Sequence, residues 1–256
     1  MKVQLSTIIA VSICLLFLIP MVIYMRTHTV GGTGSDKMLE SEEFRNLREE
    51  GKNLAQMGMK YYEDGNTDKA LELYNKAIQI YIQALKIRPE NAEMHNDLGA
   101  VYYNLGEAVS EPIWTDDLTK CSLTEAMDRL QNALKEVKSG IIVLTFNDKQ
   151  IAEKVKNFAI SQGHYAHINP VEDGKEFDLY IIKGKTKEAF LKAESEFLRS
   201  KLIKERYAPA YRNLGALYMK MGRWDEAVQN LELALRIEPY DKELRTYLQQ
   251  IKQRSR

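Results

Sequence analysis

The residues that could carry chemistry are few and scattered. Two of the four histidines, His164 and His167, stand three apart. They fall on a strand or its approach with no cysteine nearby, so the spacing does not make a zinc site. Cys121 lies in a polar loop, and a cysteine attacks as a thiolate that charged neighbours must activate. No motif surrounds it. Cys14 sits inside an apolar run and cannot reasonably meet Cys121, so no internal disulfide is expected. Glu188, Glu194 and Glu196 are interleaved with Lys192, as on a solvated helix surface. The chain has no phosphate-binding glycine loop, dinucleotide fingerprint, nucleophile elbow or His-Glu-x-x-His. No catalytic residue, metal or cofactor is expected, so the elements themselves must be the functional part.

Bulk composition agrees. The 256 residues carry 36 basic and 36 acidic side chains. Such a balance disfavours a nucleic-acid binder, which needs a basic face to displace counterions. Residues Val3 to Met25 (VQLSTIIAVSICLLFLIPMVIYM) hold no charge. About 20 apolar residues suffice to span a bilayer as a helix. The run ends in Ile-Tyr-Met-Arg without a small-x-small cleavage site, so residues 1–30 are expected to stay as a single-pass membrane anchor. Flanking positive charges nearly cancel. Because so short an N-terminal tail normally stays in the cytoplasm, the soluble part is expected outside it. Gly31 to Ser35 (GGTGS), within residues 31–39, reads as a flexible spacer.

From Glu40 onward the apolar spacing is helical and repeats itself. The clearest unit covers 208–241, with Tyr211, Leu214-Gly215, Tyr218, Ala227, Leu231, Ala234 and Pro239. Small residues at Gly215 and Ala227 let two antiparallel helices cross closely. A second set starts at Gly51, with Leu54, Met57-Gly58, Tyr61, Ala70, Tyr74 and Ala77. It continues seven residues further on through Tyr81, Ala84 and Pro89, so its second helix is lengthened by about two turns. A third set has His95, Leu98-Gly99 and Tyr102, and then resumes at Ala126, Leu130 and Ala133 beyond a loop at 107–123. His95 falls at a helix-packing position.

These spacings resemble the tetratricopeptide repeat (TPR). The fold expected is mainly α, with helical-hairpin repeats. Residues 40–138 hold units one and two, 208–241 hold unit three, and 242–256 form a capping helix with Leu244, Tyr247, Leu248 and Ile251 inward. Units 92–105 and 124–137 are expected to pair as one hairpin. Residues 139–185 break the pattern. Ile141 to Phe146 reads as a buried strand. A helix follows to Gly163, then strands Tyr165 to Val171 and Phe177 to Lys183 around Asp173-Gly174. A connecting helix over 186–207 returns the chain to the repeats through Ala189, Ala193 and Phe197. This strand-helix-strand-strand-helix order faintly resembles a SPOR domain, which would imply peptidoglycan binding.

The TPR resemblance implies a protein or peptide partner held along the first helices. It brings forward Lys52 and Tyr62, Asn96 and Tyr103, and Arg212, Asn213 and Lys220 as groove residues, over small positions such as Ala55, Ala100 and Ala216. The two-carboxylate clamp of chaperone-binding TPRs is not matched. The function expected is a membrane-anchored interaction scaffold. A cell-wall binder acting through the insert, and an enzyme with its site there, stand as alternatives.

Overall fold

A computed structural model describes residues 41–171 and 174–254. The repeats are three helical hairpins. Helix α1 (Glu42–Glu63) pairs with α2 (Thr67–Ile87). Helix α3 (Ala92–Ala108) is followed by the inserted module. Helix α6 (Gly184–Ile203) then leads to α7 (Ala208–Lys220), α8 (Trp224–Ile237) and a last helix, α9 (Lys242–Arg254). The starts of α1, α2 and α3 are set by side chains that take up free backbone N–H groups. Ser41 accepts from the Phe44 amide at 3.2 Å and Asn91 from that of Met94 at 2.8 Å. Gly222, with φ of +76°, turns the chain from α7 into α8 in a conformation that other residues resist.

The hairpins share one contact. A Cβ at Gly58 would lie 2.7 Å from the Tyr74 ring, at Gly99 2.7 Å from Phe197, and at Gly215 2.6 Å from Leu231. In each repeat the glycine of the first helix receives a large side chain from the second. The lengthening of α2 is present, at 21 residues against 14 in α8. Tyr81, fully buried, fills the space over Gly51 on that extension.

The pairing expected for the second repeat is corrected. Helix α3 does not pack on the helix near 124–137. It packs along α6, which is the second helix of that repeat. Ala193, Phe197 and Ser200, all fully buried, take the places that Ala227, Leu231 and Ala234 take in the third. The 107–123 segment is therefore no loop within a repeat, and the 186–207 helix is no connector. The whole module is inserted between the two helices of one repeat.

That module comprises β1 (Trp114–Asp117), α4 (Leu123–Glu136), β2 (Gly140–Phe146), α5 (Lys149–Ser161), β3 (Tyr165–Val171) and β4 (Glu176–Lys183). Its sheet has the order β1-β2-β4-β3, with β1 and β2 parallel and the other neighbours antiparallel. Ala126, Leu130 and Ala133 are fully buried as expected, but in the module's core with Ile142, Leu144, Val155 and Leu179. A strand-helix pair thus precedes the expected strand-helix-strand-strand order, and the helix that completed the SPOR resemblance belongs to the repeats.

Ser139 fastens the module's entry to its exit. Its carbonyl accepts from the Glu111 amide at 2.8 Å, and its hydroxyl accepts from the Thr186 amide at 3.0 Å. The other sheet face meets the repeats. Ile141, Ile182, Tyr165 and Tyr180 pack with Phe190, Leu214, Leu217 and Tyr218. Arg223 ties three repeat helices together beside this seam, donating to Glu194 at 2.5 Å and through Nε to Glu226 at 2.6 Å. Its guanidinium stands 4.0 Å over the Tyr218 ring.

The expected anchor and spacer lie outside the described residues. Among those described, no helix is long and apolar enough to cross a membrane.

Candidate partner-binding face

The first helices α1, α3 and α7 lie side by side, and their shared face carries most of the groove residues. Asn213 donates to Asn96 Oδ1 at 2.9 Å, joining α7 to α3. Asp97 follows Asn96 on α3, near Arg48 and Lys52 of α1. At the far end of the same face, Lys220 donates to Glu107 at 2.6 Å, and the Tyr62 hydroxyl reaches the Glu107 carbonyl at 3.5 Å. At the near end, Arg48 donates to Glu93 at 2.7 Å. Polar rungs therefore cross all three helices.

Other members sit differently. Tyr103 is buried and stacks on Phe190 with ring centroids 5.7 Å apart, so it serves the core rather than the groove. Arg212 pairs with Asp241 and, at 3.8 Å, with Glu238, which ties α7 to the α8–α9 turn. Lys52 is half-buried beside Asp97. Ala55 and Ala100 are closed off, while Ala216 stays partly open on the floor.

Asp97, Glu107, Arg48 and Glu93 were absent from the expected set. Spacing alone could have found them. Positions 93, 97, 100, 104 and 107 follow the three- and four-residue steps that keep one helix face together. Burial pushes the Asp97 carboxyl up to about 6, against the pull of Arg48 and Lys52. A carboxyl held there costs the folded state about 3 kcal/mol at neutral pH. A cation brought by a partner would recover part of that.

His95 supports the face from beneath. Its Nδ1 lies 2.6 Å from a Glu196 carboxylate oxygen and its Nε2 lies 2.9 Å from the Pro89 carbonyl. Both partners only accept, so both ring nitrogens must carry hydrogen. Burial opposes that charge, but the two acceptors outweigh it and the pKa is raised. A raised folded-state pKa gives stability that is complete below the ordinary value of about 6.5 and is lost as pH climbs through the folded value. Melting temperature is expected to fall as pH rises above neutrality, and His95→Phe to flatten that fall. Thermal melts across the pH series for both proteins check it.

The fold and face together define a stack of helical hairpins, a class that works by presenting a surface. The chain carries tetratricopeptide repeats. Family profiles described as tetratricopeptide repeat match residues 61–91 and 208–241, and one described as TPR repeat matches 77–106. No curated protein sequence matches. Among solved structures, the first TPR of Spaghetti (RPAP3) bound to an HSP90 peptide is 16% identical, with 80% of this chain and 92% of that one covered and a TM-score of 0.36. The Arabidopsis OM64 TPR domain is 14% identical, with 81% and 98% covered and a TM-score of 0.39. The second TPR domain of human RPAP3, in complex with an HSP70 peptide, is 14% identical, with 82% and 98% covered and a TM-score of 0.36. These scores are low.

Proposed function

We propose that this protein is a membrane-anchored scaffold that holds a polypeptide partner along the shared face of α1, α3 and α7. One observation carries the reading: the Asn213–Asn96 bond joins two repeats on this face beside the partly open Ala216. Asn96 and Asn213 are only 6% and 7% exposed, but the Asn96 Nδ2 and Asn213 Oδ1 left over from their mutual bond can take a C=O and an N–H of an extended segment, and Asp97 favours a cationic side chain within it. Residues 3–25 supply the anchor in this reading, with the repeats on the extracytoplasmic side. Among the described residues, no group of three or more His, Cys, Asp and Glu is placed to hold a metal.

Arg212 and Lys220 are poor choices for a test, because both hold the fold together. Ala216→Arg is better. Arginine keeps helix propensity and projects a long cation over the groove floor. Retention of partner from solubilised membranes is expected to drop at least tenfold, with the melting temperature nearly unchanged. An unchanged set of partners on a folded Ala216→Arg protein would overturn this face as the binding site.

A further inference from the structure

We infer that the end of the repeat stack where the chain enters α1 rests on an anionic lipid surface. This deepens the reading that residues 3–25 anchor the chain, and it rests on that reading.

Side-chain contacts bring one set of turns to one end. The Arg88 guanidinium lies 5.3 Å from the Phe44 ring at the start of α1. The end of α6 joins the start of α3 there, through Arg199 to Glu90 at 2.9 Å and through Ser200 donating to the Ala92 carbonyl at 2.7 Å. The Tyr211 hydroxyl of α7 donates to the Glu205 carbonyl at 2.8 Å. Arg212 brings in the α8–α9 turn.

This end is where the most exposed large apolar side chains lie among the described residues. Leu202 is 80% exposed and Tyr240 is 93% exposed, and Ile87 at the end of α2 is 38% exposed. Cations surround the first of these. The segment 199–206 holds Arg199, Lys201, Lys204 and Arg206 against Glu205; Glu90 pairs with Arg199 and Glu93 with Lys204, which leaves a small basic excess in Lys201 and the exposed Arg206. A protein partner would need a continuous apolar stripe or groove. Separate apolar tips on successive turns, one of them a tyrosine, suit the headgroup layer of a bilayer instead. Lys201 and Arg206 beside Leu202 are drawn to anionic lipid, whereas Tyr240, set between Glu238 and Asp241, contributes its ring alone. The chain's own reach agrees, because residues 26–40 extend at most about 50 Å between the apolar run and α1.

The test uses the full chain reconstituted into phosphatidylcholine vesicles with and without phosphatidylserine. Nitroxides are placed through Leu202→Cys, Tyr240→Cys or Ile160→Cys, each with Cys14→Ser and Cys121→Ser. Ile160, 48% exposed on α5 of the module, is the distant control. With phosphatidylserine, the labels at 202 and 240 are expected to gain oxygen accessibility and lose nickel-chelate accessibility several-fold, while the label at 160 stays unchanged. A chain that floats with the vesicles while all three labels remain equally open to nickel would overturn the orientation and leave the anchor standing. Equal burial without phosphatidylserine would overturn the role given to the cations. A chain that fails to float would overturn the anchor, and this inference with it.

Discussion

Phe197→Ala is expected to cost about 3 to 5 kcal/mol of stability, the usual range for deleting a buried aromatic ring. The ring is fully buried and fills the space over Gly99. Its loss opens the contact between α3 and α6, and the third repeat stacks on that pair. Repeats gain stability from their neighbours, so the second and third should loosen together. Urea titration with hydrogen exchange separates this from the competing assignment. Leu130→Ala removes an equally buried residue, but from the module core. It should cost about 2 to 5 kcal/mol while exposing mainly the module's amides. If Leu130→Ala opened α3 and Phe197→Ala did not, the pairing of α3 with α6 would be wrong.

Arg223→Ala is the second large effect. The arginine is held by α8 through Glu226, by α6 through Glu194 and by the Tyr218 ring on α7. The Glu226 bond leads the causes that raise the arginine's pKa, outweighing burial. Truncation leaves the mostly buried Glu194 without its cation. Breaking a buried pair in this way costs about 3 to 5 kcal/mol, and the greater exposure of Glu226 lowers the figure here to about 2 to 4. Hydrogen exchange should rise first in β3 and at the start of α8, where module and repeats meet. Arg223→Lys should recover less than half, since a point charge cannot serve two carboxylates and a ring together. Full stability in the lysine protein would show that charge alone ties these helices together.

The repeat helices were legible because close helix crossing demands small residues at fixed steps. Gly58, Gly99 and Gly215 marked the first helices, and Ala70 and Ala227 marked two of the second. The second repeat was misread for a physical reason. Ala126-x3-Leu130-x2-Ala133 and Ala193-x3-Phe197-x2-Ser200 carry the same small-large-small stripe. A helix lying on a sheet and a helix lying on a helix both need it. What separates them is the ring that fills the space over Gly99, a long-range fact that periodicity does not contain. Strand β1 was hidden because Trp-Thr-Asp-Asp is short and polar, and an edge strand needs little apolar alternation. The face residues Asn96 and Asn213 were legible by position, but their bond to each other was not. The inward turn of the Tyr103 ring onto Phe190 was not legible by position either.

The inserted module also sets the order in which this protein can fold. Helix α3 leaves the ribosome long before its partner α6, since residues 109–183 must be made between them. Closing so long an unstructured loop is unfavourable, by about 0.6 kcal/mol for each doubling of its length. A folded module removes most of that cost. The first residue of β2 pairs with the last of β4, and β1 starts alongside on the other edge of β2. Entry and exit then stand about two strand spacings, or about 10 Å, apart. The sheet thus acts as a splint, and the second hairpin is expected to close only after the module has condensed. Until then α3 waits, its glycine face uncovered, for a helix not yet synthesised.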